Sequence, residues 1–89
     1  MDQFHLTFSL RVDKIFQHIA KTNISLHEQI ERQLEKLICG PYLGKPLRHD
    51  LKHQRRLHVG SFVVIYEIMG NEIHVLDFDH HDRIYKKKR

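Results

Sequence analysis

Cysteine is nearly absent: Cys39 stands alone in 89 residues. No disulfide within the chain can staple the fold, and a reducing cytoplasm suits such a chain better than a secreted setting. Nowhere does an apolar run approach the roughly 20 residues that span a bilayer, and the first residues carry charge at Asp2 without the apolar core of a signal peptide. The expectation is a soluble, cytoplasmic protein with no membrane partner. Internal repeats are missing as well, and only Lys86-Lys87-Lys88-Arg89 is of low complexity, as a solvated tail or as direct phosphate contacts. Acidic residues are the minority charge, 11 Asp+Glu against 15 Lys+Arg, and the net charge of +4 favours polyanionic or acidic partners.

Length excludes more. A single domain spanning residues 1–89 buries only about 60–65% of the surface its unfolded chain exposes. Chemistry is therefore expected on an open sheet face or groove, not in a deep enclosed pocket, and a partner chain could complete the fold.

Periodicity changes twice along the chain. Phe4, Leu6, Phe8 and Leu10 alternate with polar residues, as in a strand with one buried face. Val12, Ile15, Phe16 and Ile19 then follow helical spacing, and this helix is expected to stop near Lys21-Thr22-Asn23, with Asn23 in a left-handed conformation. Ser25 and Glu28 have capping-box spacing for a second helix, whose stripe is Leu26, Ile30, Leu34, Leu37 and Ile38 and which ends at Gly40-Pro41. Cys39 is expected in that stripe, as buried filler and not a nucleophile. Residues 40 to 54 read as an irregular connection holding a short helical turn or a functional role. Strands follow at Arg56–Val59, Phe62–Met69 and Ile73–Phe78, with turns at Gly60-Ser61 and Gly70-Asn71. The fold class is α+β: a small antiparallel sheet with an N-terminal αα-hairpin packed on one face, in the order β-α-α-β-β-β.

Alternation assigns the faces. With Leu57 and Val59 toward the helices, Arg56 and His58 point away, as do Val63, Ile65 and Glu67 on the next strand. Val63 and Ile65, joined by Val75, would then form an exposed apolar strip of the kind that binds a protein partner, unless the C-terminal tail covers it. His80-His81-Asp82 is expected to return near the same surface. Lys45, Arg48, Lys52, Arg55 and Arg83 are candidate phosphate-binding residues, although Lys45, Arg48 and Lys52 also fit a solvated loop. Tyr85 is either a stacking platform for a base or an anchor for the tail. His49 and His53 have i, i+4 spacing, but no cysteine or acidic pair completes a set. They are expected as solvated histidines, with no metal and no cofactor required.

The segment from Arg56 to Ile68, R-L-H-V-G-S-F-V-V-I-Y-E-I, followed by a strand and by His80 and Tyr85 as H-x-x-x-x-Y, resembles the RelE/ParE superfamily of toxins from type II toxin–antitoxin systems. K-P-L-R-H-D-L, from Lys45 to Leu51, falls in the order that family uses. The resemblance extends over nearly the whole chain. It implies a compact antiparallel sheet with two helices on one face and a cognate antitoxin that wraps around the toxin and neutralises it; the apolar strip of Val63 and Ile65 read above is the expected antitoxin contact. For the RelE branch it implies metal-independent cleavage of mRNA on the ribosome, which inhibits translation; for the ParE branch it implies a non-nucleolytic toxin acting on DNA gyrase. A third possibility is a member without catalysis that binds antitoxin or nucleic acid. Family positions for basic residues are met by Arg56 and His58, and the terminal aromatic by Tyr85. Two positions where the family carries arginine hold Val63 and His81. Histidine is the side chain whose ordinary pKa, about 6.5, lets it act as acid and base near neutrality. His58 and His81 are therefore the expected acid–base pair, with Arg56 and Tyr85 completing the catalytic set and Arg56 or Arg83 as the cation.

Overall fold

The computed structural model describes residues 3–47 and 53–87, the last three of these by backbone alone. Strand β1, His5–Phe8, leads into helix α1, Leu10–Thr22, and helix α2, Ile24–Cys39. Ser9 starts α1: its Oγ accepts from the Val12 N–H at 3.2 Å and donates to the Leu76 carbonyl, also at 3.2 Å. One hydroxyl thus caps the helix, an interaction of about 1 kcal/mol, and ties it to the sheet.

Asn23 serves both helices. Its backbone N–H donates to the Ile19 carbonyl at 2.8 Å, closing α1, while its side-chain oxygen accepts from the Leu26 N–H at 3.1 Å, opening α2. Its φ of −148° is negative, so it is not left-handed. The capping box expected at Ser25 is not used, because α2 already begins at Ile24 and places Ser25 inside its first turn. Val12 and Ile19 from α1 and Ile30, Leu34 and Leu37 from α2 are buried. Cys39 is exposed, contrary to expectation. Two residues beyond Leu37 is about 200° around a helix, which takes the thiol off the buried stripe.

Five strands form one sheet in the order β1-β5-β4-β3-β2, where β2 is Lys45–Pro46, β3 Gln54–Val59, β4 Phe62–Met69 and β5 Glu72–His80. β2 is a two-residue edge strand inside the connection expected to be irregular or to hold a helical turn. The sheet is not wholly antiparallel, since β1 runs parallel to β5, pairing His5 with Glu72 through Phe8 with Val75. β1 reaches its partner through the helices rather than a hairpin, and a crossover of that kind permits parallel pairing. Gly60 and Gly70, at φ of +60° and +61°, make the tight turns flanking β4. That conformation is open to glycine at no steric cost.

Leu57, Val59, Phe62, Val64, Tyr66, Ile68, Ile73, Val75 and Phe78 pack toward the helices in the main core. Val75 leaves the face expected for it because a bulge between Ile65 and Tyr66 pairs Ile65 with Asp77 but Tyr66 with Val75. The exposed strip expected at Val63 and Ile65 does not exist: both are buried. A third helix, α3, His81–Lys87, lies over them and inserts Ile84, with Leu47 and Leu76 packed around. Burying an isoleucine side chain contributes about 1.5–3 kcal/mol, and α3 is too short to persist unaided. Ile84→Ala is therefore expected to release α3 while leaving the main core intact. Hydrogen exchange should show faster amide exchange confined to residues 81–87 and the β4 face beneath them.

Candidate active site

The connection after α2 is held by one phenol. Tyr66, fully buried, accepts from the Gly44 N–H at 2.9 Å and donates to the Pro41 carbonyl at 2.8 Å. Burial raises the phenol pKa above its usual range, with the Gly44 hydrogen bond and the Arg55 charge opposing the shift. Arg55 adds a second hold: its Nη1 donates to the Gly44 carbonyl at 2.7 Å, and its guanidinium lies 5.0 Å from the centre of the Tyr42 ring. Arg55 pairs across the sheet with Tyr66, on the helix side. It therefore shapes the loop and does not join Arg56 and His58 on the opposite face, where the expected phosphate contacts lie.

The loop so fixed brings Lys45 beside Arg56 in register. Leu43, Gly44, Lys45, Arg56, Leu57 and His58 line a groove of about 250 Å³ at the β2–β3 edge. His81 is delivered to the same place from the far end of the chain. Its backbone N–H donates to the Ser61 carbonyl at 2.9 Å, so α3 starts against the β3–β4 turn. The His81 ring stacks on His58 with centroids 5.8 Å apart and planes at 28°. Asp82 Oδ1 lies 3.4 Å from His81 Nδ1. Both imidazoles are solvent-accessible, and His58 shares its groove with Lys45 and Arg56, an arrangement that can move protons beside a bound phosphodiester.

Of the residues singled out from sequence, the fold gathers Lys45, Arg56, His58 and His81. Arg83 is exposed on α3 with its Nε 3.1 Å from Asp79 Oδ1. The expected contacts of Arg48 and Lys52, the His49 half of the histidine pair, and the Tyr85 side chain lie outside the described residues; His53 is exposed. Sequence reasoning placed Tyr66 in the core and missed its grip on the loop, and it missed Arg11, which bonds Asp77 across 66 residues. No local pattern signals either.

His74 forms a second charged cluster, away from the groove. Its Nε2 is 2.8 Å from Glu72 Oε1 and its Nδ1 3.6 Å from Glu67 Oε2. The Glu72 hydrogen bond, with help from Glu67, raises the imidazole pKa. A raised pKa means that the stabilisation is fully present below the ordinary value of about 6.5 and is lost as pH rises through the folded value. His74→Gln is expected to lower the melting temperature slightly at pH 5.5 and hardly at all at pH 8.5, which thermal melts at the two pH values can check.

Residues 4–85 match the family model described as the ParE toxin of the type II toxin–antitoxin system parDE. A Methanocaldococcus jannaschii protein whose name places it among the RelE toxins is 38% identical over 81 residues, covering 88% of this chain and 86% of that one. Among solved structures, the YoeB/ParE toxin from Agrobacterium tumefaciens superposes with a TM-score of 0.77 at 16% identity, over 88% of this chain and 99% of that one. The YoeB–YefM toxin–antitoxin heterotetramer from Staphylococcus aureus gives 0.74 at 14% identity, over 88% and 97%. The chain belongs to the ParE family, within the RelE/ParE superfamily of type II toxin–antitoxin toxins. Its sheet and helices are the fold those structures share, and among the described residues no helix is long and apolar enough to cross a membrane.

Proposed function

We propose that this toxin is a ribosome-dependent mRNA endonuclease that inhibits translation. The observation that carries the proposal is the stacked His58–His81 pair beside Arg56 and Lys45. Cleavage begins when one imidazole takes the proton of a ribose 2′-hydroxyl. The 2′-oxygen bonds to the adjacent phosphorus, the bond from phosphorus to the 5′-oxygen breaks, and the other imidazole protonates that leaving oxygen. The products are a 2′,3′-cyclic phosphate and a 5′-hydroxyl, and no redox partner or metal is consumed. Lys45 and Arg56 offset charge on the non-bridging oxygens during the step. Such a target places the protein in the cytoplasm. Its second partner is a cognate antitoxin, the kind of partner present in the YoeB–YefM structure. Induction of the protein followed by primer extension on translated messages tests the reading: new 5′ ends within codons are expected, and intact messages would refute it.

A second reading has a specific observation behind it. The matching family model is the ParE one, and Val63, standing where the superfamily carries arginine, is buried with no charge to offer a phosphate. On that reading the protein poisons DNA gyrase without cutting RNA. Induction would then produce DNA breaks while messages stay whole.

A further inference from the structure

Helix α3 has seven residues, and among its described side chains Ile84 is the fully buried apolar one. A helix that short has no stability of its own, so its orientation is set by what holds it to the sheet: Ile84 beneath it and, at its start, the His81 N–H bonded to the Ser61 carbonyl. The carboxylate of Asp79 also holds it, through Arg83. Its Oδ1 accepts from Arg83 Nε at 3.1 Å, and its Oδ2 lies 3.6 Å from Nη2 of Arg11, while Arg11 Nε donates to Asp77 Oδ1 at 3.1 Å. Both aspartates are only 15% exposed, whereas Arg11 is 54% and Arg83 70% exposed, so the acids are the fixed part of the cluster. Asp77 and Asp79 oppose Ile65 and Val63 in register, and two carboxylates this close repel unless a cation sits between them. Arg11, from the first turn of α1, is that cation.

His81 lies two positions before Arg83, so the orientation of α3 sets where its ring meets His58. We infer that Arg11, acting through Asp77 and Asp79, is a positioning residue for the His58–His81 pair. Its consequence for rate rests on the nuclease reading above; the positioning itself does not. Charge and hydrogen bonding thus couple the start of α1 to a site built from β3 and α3. A guanidinium suits the task because its donors lie in a fixed fork and can serve two acids at once.

The test uses the full chain with Arg11→Ala and Arg11→Lys, read in two ways. One is the nuclear Overhauser effect between the His58 and His81 ring protons. The other is single-turnover mRNA cleavage on programmed ribosomes. Arg11→Ala is expected to weaken the cross-ring signal and slow cleavage at saturating ribosomes roughly five- to tenfold, with the half-saturating ribosome concentration changed by less than about twofold. Arg11→Lys should recover part of both. An unchanged cross-ring signal in Arg11→Ala overturns the inference. So does a loss of melting temperature and ribosome binding with that signal intact, which is the mark of a merely structural role. If the wild-type chain cuts no message, the nuclease reading fails while the ring contact still decides the positioning. Should Arg11→Ala not fold, Asp79→Asn carries the same comparison.

Discussion

Alanine at both His58 and His81 is expected to lower single-turnover mRNA cleavage by roughly 10³–10⁴-fold, the range for removing positioned acid and base groups. Each single substitution should already cost about 10²-fold or more, with the losses far from additive because the two rings act on one step. Binding to the ribosome should fall by only a few-fold, since Lys45 and Arg56 remain. His81→Arg is the more informative variant. It restores the residue usual in the superfamily and keeps a cation, yet a guanidinium cannot give up a proton near neutral pH. Retained binding with lost rate is therefore expected. A double-alanine protein that cuts at the wild-type rate would remove the histidines from the chemistry.

The largest stability effect is expected at Gly44. A Cβ there would run into the Arg56 carbonyl and sit 2.6 Å from the Tyr66 hydroxyl, so either the loop or the core must shift. Gly44→Ala should cost more than about 3 kcal/mol in urea denaturation, as overpacking combined with loss of buried hydrogen bonds does. Tyr66→Phe keeps the ring but strands the Gly44 N–H and the Pro41 carbonyl, for about 2–4 kcal/mol. Gly40→Ala is the control: its Cβ would meet only the Lys36 carbonyl, at 3.8 Å. There the change should stay within about 1 kcal/mol. Both damaging variants should also impair cleavage, because the loop they loosen carries Lys45. A Gly44→Ala protein as stable as the wild type would show that the loop is not held by this clamp.

Regular periodicity made the helices and central strands legible. Val12, Ile15, Phe16 and Ile19 announce α1, and Phe62, Val64 and Tyr66 announce the helix-facing side of β4, because those patterns reflect burial that their own elements create. What depends on distant residues was not legible. Alternation alone put Val63 and Ile65 on an open face; the cover comes from Ile84, some twenty positions later. Alternation also put Val75 on that face, and only the bulge at Ile65/Tyr66 moves it across. At the site, type and parity marked His58 and Arg56, and the family resemblance marked His81. Neither reveals that the two rings stack, since that follows from the Ser61 carbonyl receiving the first turn of α3. Arg55 and Arg56 look interchangeable as letters. One residue of offset sends Arg55 to Gly44 and Tyr42 and leaves Arg56 in the groove.

The parallel pairing of β1 with β5 carries a consequence for biosynthesis. β1 is made before both helices, yet among the described residues its partner strand begins at Glu72, after β2, β3 and β4. Domains fold as units during synthesis, and a unit whose first strand waits for its last cannot close early. His81 follows immediately after β5. A nascent chain therefore has no assembled histidine pair until β5 has been made and paired, whichever target the toxin acts on.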